Sequence, residues 1–222
     1  MELGTSEPGT FRAGPDAVFE CPHCSAVARL ATVEEADTSR AVSWTDGCQE
    51  CPGVPRHPNV TRCAACQKFY WLGEARQLGW YAPGIELPPE LAGWATAPPV
   101  EPLDEAGYYE VLEAAGALNP EMELELRVHA WWRGNDRFRK TDPASPPTWD
   151  ERQIANMTRM IELCAQGDHE VLLFRAEALR QLGRFDEASE ALYGLCSDYA
   201  AAREKIGALV EQKSRELAVL FG

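Results

Sequence analysis

The hydrophobic pattern of the chain changes near residue 100. Before that point, apolar residues alternate with polar ones in short runs, at 17–20, 26–32 and 40–44, and this period of two predicts β-strands. After it, apolar residues recur every three or four positions over stretches typical of helices. The pattern therefore predicts an α+β chain, with a small β module first and an all-α domain of helical hairpins after it.

Start and stop signals place the helices of the second part. Asp104, Asn119-Pro120 and Asp168 are typical of helix N-termini. Thr148 and Glu151 have the spacing of a capping box. We expect helices from 105 to near Gly116, over 120–140, from 149 to Gly167, and over 170–182, 185–199 and 201–221.

Composition divides the chain into four segments. Residues 1–16 are rich in Gly, Pro, Ser and Thr and are predicted to be a disordered arm. Residues 81–102 contain six prolines and are predicted to be an acidic linker that packs along a domain, because several of its residues are apolar. The β module then spans 17–80 and the helical domain 103–222.

Six of the eight cysteines form three C-x-x-C units, which begin at Cys21, Cys48 and Cys63. Two residues between cysteines let one tight turn aim both sulfurs at a single point, as a tetrahedral metal half-site requires. Two half-sites make a closed tetrathiolate Zn²⁺ site, which stabilises a fold too small to build its own core. We predict a zinc ribbon, because both outer pairs end strand-like runs. Its ligands are Cys21, Cys24, Cys63 and Cys66.

The inner pair, Cys48 and Cys51, has several interpretations. It follows the turn signal Asp46-Gly47 and precedes a proline-rich loop. It could form a partial second site with His57 or His23, replace one of the outer pairs, or consist of free thiols. A redox role for Cys21-Pro22-His23-Cys24 is less well supported, since the βαβ context of thioredoxin-like enzymes is not visible in the sequence.

The charge balance limits the partners. The chain has 35 acidic and 21 basic residues, a net charge of -14, so phosphate backbones repel it unless a basic patch is segregated. Between residues 21 and 80 the acidic and basic residues are equal in number. Nucleic-acid binding through the ribbon is therefore an alternative to binding of a protein or peptide. It would use Arg56, Arg62, Lys68 and Arg76, with Trp71 as a stacking platform.

Neither a signal-peptide pattern nor an apolar run long enough to cross a bilayer is seen, so we expect a cytoplasmic protein without membrane contact. In a reducing compartment, paired cysteines favour metal ligation over disulfides. A closed four-thiolate site has no open coordination position, and no nucleophile–base motif occurs elsewhere, so no catalytic residue is predicted. The sequence leaves the oligomeric state open.

The second predicted helix of the domain carries two further features. Trp131 and Trp132 are adjacent, so at least one of them is expected in the core. We interpret its basic end as a solvated helix terminus that complements the dipole, and an anchor for an acidic partner is the alternative. The cations of this end are Arg133, Arg137, Arg139 and Lys140.

Residues 172–195 resemble a tetratricopeptide repeat. Ala176 is small where paired helices approach, and Gly183, Phe185 and Ala188 follow across the turn. The match covers one repeat. The resemblance therefore implies a compact helical domain and not a regular superhelical array.

The chain after residue 17 also resembles a group of uncharacterised bacterial proteins in which a zinc ribbon precedes tetratricopeptide-like helices. The motifs that carry this resemblance are Trp44-Thr45-Asp46-Gly47, Phe69-Tyr70-Trp71, and Trp131-Trp132 followed by Asn135-Asp136-Arg137. Ser25 and Gln67 stand where such knuckles often have glycine. The resemblance implies no known activity. The expected function is a non-catalytic zinc-binding adaptor, and a redox or metal sensor that uses Cys48 and Cys51 is a further alternative.

Overall fold

A computed structural model describes residues 11–114, 118–139, 147–166 and 168–222, and the elements below are those of these residues. The strands are β1 (Phe11–Ala13), β2 (Asp16–Glu20), β3 (Val27–Leu30), β4 (Val33–Ala36), β5 (Val42–Trp44), β6 (Gln49–Glu50), β7 (Val60–Arg62), β8 (Phe69–Trp71), β9 (Arg76–Tyr81) and β10 (Val219–Phe221). The α-helices are α1 (Glu105–Ala114), α2 (Pro120–Arg139), α3 (Glu151–Leu163), α4 (His169–Gln181), α5 (Phe185–Tyr193) and α6 (Ala200–Glu211).

Contacts divide the chain into two compact units. One, which we call the cysteine unit, comprises Met1–Arg40 and Cys51–Leu103. The other, the helical unit, comprises Ala41–Glu50 and Asp104–Gly222. The segment Ala41–Glu50 lies between the two predicted knuckles in sequence, but by its contacts it belongs with the helices.

Small antiparallel sheets build the cysteine unit. Three strands have the order β3-β2-β9, and the pairs β7-β8 and β1-β4 form two further ladders. Strand β2 is central and contributes the buried side chains of Ala17 and Val18. The alternation at 17–20 and 26–32 thus predicted the first two strands of this sheet correctly.

The proline-rich segment 81–102 is part of the cysteine unit and packs on two of its strands. Pro89–Thr96 forms a 3-10 helix, and the Trp94 ring lies so close to Gly79 that a Cβ there would sit 2.8 Å from it. The Arg29 side chain donates from Nε to the Ala97 carbonyl at 3.1 Å, and the Val100 amide donates to the Arg29 carbonyl at 2.7 Å. These contacts hold the segment against strands β3 and β9.

A hydrophobic core of described residues packs helices α2 to α6 of the helical unit against one another. Met157, Met160, Leu179 and Ile206 are almost completely buried, from helices α3, α4 and α6. Trp131 packs in the same core, as its position next to Trp132 predicted. None of the described helices combines the length and the apolar character that a membrane span needs.

Local caps explain where most helices begin. The carboxylate of Asp104 accepts from the Gly107 amide at 2.8 Å, and that of Asp168 accepts from the Val171 amide at 3.1 Å. Asn119 caps α2 in the same way. The predicted capping box of Thr148 and Glu151 was wrong: Asp150 is the cap of α3, and it forms the box with Gln153.

The C-terminal part of the helical unit departs from the prediction. Helix α5 ends at Tyr193 instead of 199, and α6 ends at Glu211 instead of continuing to 221. Lys213 has φ 51°, and the Ser214 amide donates to the Leu209 carbonyl, which closes α6 in a left-handed turn. Strand β10 follows and pairs with β5, giving a sheet of order β10-β5-β6. The helical unit is therefore not all-α.

Several sequence-based predictions lie outside the described residues. They are residues 1–10 of the arm, the helix ends near Gly116 and at Gly167, and Lys140.

Candidate metal centre

The first C-x-x-C unit forms a tight turn at the end of strand β2. The Cys21 amide donates to the Ala26 carbonyl at 2.8 Å, and the Ser25 amide donates back to the Cys21 carbonyl at 2.9 Å. Ser25 has φ 60°, in the left-handed region that favours glycine. This backbone lets Cys21 and Cys24 present both sulfurs to one side.

The second unit repeats this geometry at the end of strand β7. The Cys63 amide donates to the Lys68 carbonyl, and the Gln67 amide donates to the Cys63 carbonyl, both at 2.9 Å. Gln67 has φ 61°, nearly the value at Ser25. Equal spacing in the sequence therefore corresponds to equal backbone conformation in the two knuckles.

The structure brings together the four cysteines that the sequence singled out. The sulfurs of Cys21, Cys24, Cys63 and Cys66 all lie within 4.8 Å of one another. The Cys21 and Cys66 sulfurs are 3.9 Å apart, and those of Cys24 and Cys63 are 3.6 Å apart. A tetrahedral Zn²⁺ with bonds of about 2.3 Å separates its sulfur ligands by about 3.8 Å. The four residues can hold a metal ion of this size.

Electrostatics in the cluster favour a bound cation. Burial acts to raise the pKa of Cys63, but hydrogen bonds from the amides of Cys66 and Ala65 and from the neighbouring thiols lower it to about 7. A backbone hydrogen bond from Ala26 acts to lower the pKa of Cys24, but the other three sulfurs and burial raise it to about 12. The negative charge of one thiolate therefore disfavours ionisation of its neighbours, and a divalent cation offsets the repulsion between the thiolates.

Apolar side chains cover the cluster on its inner side. Tyr70, Leu72 and Val100 are buried and pack in one group with Cys21 and Cys63. Burial and the nearby sulfurs raise the pKa of Tyr70 to about 12. Two residues of the segment that follows the last knuckle, Tyr70 and Leu72, therefore shield the sulfurs from solvent on this side.

His23 connects the first knuckle to the strand that follows the second. Its Nε2 atom is hydrogen-bonded to the Phe69 carbonyl at 2.9 Å. The residue lies inside the C-x-x-C turn, so this bond ties the two halves of the site to each other. Its ring nitrogen thus contacts the backbone, and His23 does not join the inner cysteines in the partial second site that the sequence had suggested.

The inner cysteines are not part of this cluster. Cys48 is buried in the helical unit, and its amide donates to Asp46 Oδ1 at 3.1 Å. Cys51 belongs to the cysteine unit, where its thiol donates to the Asp37 carbonyl at 3.4 Å. Among the described residues, the His, Cys, Asp and Glu side chains that converge as a metal site do not include Cys48, Cys51 or His57.

A second cluster joins two of the sequence motifs within the helical unit. Asp46, at the tip of the hairpin between β5 and β6, forms an ion pair with Arg139 at the end of α2. The same carboxylate accepts from Asn135 Nδ2 at 2.9 Å, and the Trp132 indole donates to the Asp46 carbonyl at 2.8 Å. The turn motif and the tryptophan motif are therefore partners in the fold.

Burial decides how these charges behave. The Asp46 and Arg139 side chains are 0% and 1% exposed, so the interpretation of Arg139 as a solvated helix terminus was wrong. Burial raises the pKa of Asp46, while Arg139 and Asn135 act to lower it. Burial acts to lower the pKa of Arg139, but Asp46 raises it. The sequence signal for this pairing was only that Asp46 belongs to one motif and that Arg139 follows the other by two residues.

The hairpin makes a further buried contact with α4. The Thr45 hydroxyl donates to Glu177 Oε1 at 2.7 Å, and Arg180 Nε donates to Glu177 Oε2 at 2.8 Å. Arg180 also donates to the Glu216 carbonyl at 2.8 Å. These bonds fix the hairpin and the segment before β10 against one helix.

No family model, curated protein or solved structure matches the chain.

Proposed function

We propose that the chain is a non-catalytic adaptor in which one Zn²⁺ ion, held by Cys21, Cys24, Cys63 and Cys66, stabilises the cysteine unit as a zinc ribbon. The convergence of the four sulfurs within 4.8 Å carries this proposal. Four thiolates complete a tetrahedral shell and leave no position for water or substrate. The ion therefore has a structural role.

The small size of the surrounding core supports a structural ion. Among the described residues, the fully buried apolar group at the cluster consists of two of the cysteines with Tyr70, Leu72 and Val100, and further apolar residues such as Phe19 and Leu30 pack against it while partly exposed. Short strands around so small a core gain little from hydrophobic burial. Metal ligation then supplies much of the free energy that folds the unit.

The helical unit, with its tetratricopeptide-like pair α4 and α5, is the binding part of this adaptor. A protein or peptide partner agrees with the net charge of -14. The nucleic-acid alternative is weaker, because Arg76 donates to Glu20 at 2.7 Å and the Arg62 guanidinium lies 4.6 Å from the Phe69 ring centre. Two of its four cations are engaged within the cysteine unit.

The sensor alternative is weaker as well. Cys48 is 2% exposed, so oxidants have little access to its sulfur. The Cys48 amide donates to the Asp46 carboxylate, and Asn135 of α2 donates to the same carboxylate. The backbone around Cys48 is therefore held in place. Cys51, the other thiol of the postulated switch, donates to the Asp37 carbonyl at 3.4 Å.

Native mass spectrometry of the wild type beside Cys21→Ser and Cys48→Ser variants tests the metal part of the proposal. We expect one zinc per chain in the wild type and in Cys48→Ser, and none in Cys21→Ser. Zinc that is lost from Cys48→Ser and retained by Cys21→Ser contradicts the ligand set. The same spectra give the oligomeric state.

The adaptor role is tested by fractionating native extracts of the cells that produce the chain. We expect the zinc-loaded chain to elute together with another protein and at a mass above its own 24.6 kDa. Elution at its own mass under all conditions, with zinc bound, contradicts an adaptor.

A further inference from the structure

A groove runs along the helical unit between α2 and α4. It has a volume of about 640 Å³ and extends along α2 from Pro120 to Trp132. With a rise of about 1.5 Å per residue, this wall is about 18 Å long, which is the length of three helical turns. Its apolar lining comes from Leu124, Val128, Leu163, Val171 and Phe174.

Carboxylates flank this apolar floor on both sides. Glu121 and Glu125 line the α2 wall, and Asp168 and Glu170 line the wall at the start of α4. Among the described residues that line the groove there is neither lysine nor arginine. The helical unit as a whole has 24 acidic and 14 basic residues, so its field also favours a cationic occupant.

The segments of the chain outside the described residues do not carry the net positive charge that would complement this groove. Residues 1–10, 115–117, 140–146 and 167 together contain three acidic residues and one basic residue, Lys140. An occupant from these segments would bring more negative than positive charge to the four carboxylates. Charge complementarity therefore indicates another molecule.

We propose that the groove binds a basic amphipathic helix of a partner protein. Apolar side chains one helical turn apart on the partner fill the floor around Val171 and Phe174, and its lysines or arginines face the carboxylates of both walls. This inference deepens the proposed function by naming the partner's chemistry. It rests on the binding role of the helical unit and not on the zinc site.

A model peptide tests the groove directly. The probe is a fluorescein-labelled peptide of about 14 residues, long enough to span the groove as a helix, in which the heptad Leu-Lys-Lys-Leu-Leu-Lys-Leu is repeated. The matched peptide has Glu in place of each Lys. Fluorescence anisotropy with the zinc-loaded full chain should show saturable one-to-one binding of the Lys peptide, weakened by salt, and no binding of the Glu peptide.

Charge variants locate the binding surface. The triple variant Glu121→Gln, Glu125→Gln, Glu170→Gln should raise the Kd by about tenfold. The control variant Glu190→Gln, Glu204→Gln, Glu211→Gln removes the same charge from exposed sites outside the groove and should change the Kd by less than about twofold. Val171→Lys places a cation on the floor and should also weaken binding.

Folding and metal content are measured for each variant by far-UV circular dichroism, melting temperature and native mass spectrometry. Equal weakening by the groove and control variants would show diffuse attraction and overturn the proposal. So would equal binding of the Glu peptide, or a wild-type dimer that the groove variant abolishes. If the folded, zinc-loaded chain does not bind the peptide, the groove proposal fails while the metal proposal stands. If a purified chain that contains no zinc binds the peptide, the metal proposal fails while the groove proposal stands.

Discussion

Asp46 and Arg139 form an ion pair from which solvent is excluded on both sides, although 93 residues separate them in the sequence. Asn135 donates to the same carboxylate at 2.9 Å and satisfies a second lone pair. The pair joins the tip of the β5–β6 hairpin to the last turn of α2. The buried carboxylate of Asp46 thereby anchors the hairpin to the helices of the helical unit.

Replacing Arg139 with Met should destabilise the helical unit strongly. The substitution leaves the Asp46 carboxylate buried without its cation, which costs about 3–5 kcal/mol in the free energy of unfolding. Urea unfolding followed by far-UV circular dichroism measures this loss. The control is Arg184→Met, because Arg184 is 39% exposed in its pair with Glu187 and should contribute less than about 1 kcal/mol.

The double variant Asp46→Asn, Arg139→Met distinguishes a pair from two independent side chains. Since the second substitution removes the charge that the first left unpaired, the combined loss should be smaller than the sum of the single losses by at least about 1 kcal/mol. Additive losses would contradict direct coupling between the two residues.

Glycine at the left-handed positions of the knuckles should be more stable than alanine. Ser25 and Gln67 have φ of 60° and 61°, a conformation that costs residues with a Cβ about 1 kcal/mol. We therefore expect the free energy of unfolding of Ser25→Gly to be about 1 kcal/mol higher than that of Ser25→Ala. The same difference is expected between Gln67→Gly and Gln67→Ala. Denaturant unfolding of the zinc-loaded chain measures the difference.

Comparing Gly with Ala cancels the side-chain contacts that each substitution removes, such as the bond from Gln67 Nε2 to the Ala64 carbonyl. Gly47→Ala is the matched control in the opposite direction. Gly47 has φ 81°, and a Cβ there would lie 2.4 Å from the Phe174 ring, so this variant should be destabilised. Equal stability of the Gly and Ala variants at Ser25 would show that the turn is unstrained.

Removal of the proposed metal ion should loosen one unit and leave the other intact. We expect a strong chelator to accelerate amide exchange in β2, β7 and β8 by about a hundredfold, because ligation supplies folding free energy there. The amides of α4 and α6 belong to the helical unit and should keep their protection. Hydrogen exchange read by mass spectrometry measures both, and loss of protection in the helices to the same extent would contradict the prediction.

Acid should weaken the contact between α2 and α3. Glu123 accepts from Arg159 through both oxygens and from Arg127, each at 2.9 Å, and the hydrogen bond from Arg159 is the main cause that lowers the pKa of Glu123 to about 2. A carboxyl whose pKa is lowered on folding contributes stability above its ordinary pKa of 4.5, and this is lost as the pH falls from 4.5 towards 2.

Glu123→Gln tests this dependence. At neutral pH the variant should be less stable than the wild type by about 1–2 kcal/mol, a value reduced by the partial exposure of Arg159. The difference should shrink steadily as the pH is lowered, in urea unfolding measured at several pH values. A difference that does not change with pH would show that the ion pairs contribute no net stability. Glu190→Gln, at an exposed position, should show no such trend.

Local chemistry made part of the structure predictable from the sequence. A C-x-x-C unit needs only its own turn, so the four clustered cysteines could be identified without knowing their neighbours. Asp104 and Asp168 are helix N-caps, and each accepts a hydrogen bond from the amide three residues later, so the start of the helix is encoded locally. The end of α6 had no such signal, because Lys213 takes the left-handed conformation without being glycine.

Interactions over long sequence distances could not be predicted in the same way. Nothing near Val219–Phe221 indicates that this segment pairs with β5, more than 170 residues earlier. Arg139 looked like one of several cations at a helix end until the structure placed Asp46 against it. The groove, likewise, exists only once α2, α3 and α4 are packed together.

The chain passes between the two units after Arg40, after Glu50 and after Leu103. A fragment cut at the last of these passages would retain Arg139 and Glu177 but lose the ten residues that meet them. Such an excised domain would hold Arg139 without its buried partner Asp46, and the Trp132 indole without its acceptor. Dissection of this protein therefore requires splicing residues 41–50 back onto the helices, for example by circular permutation.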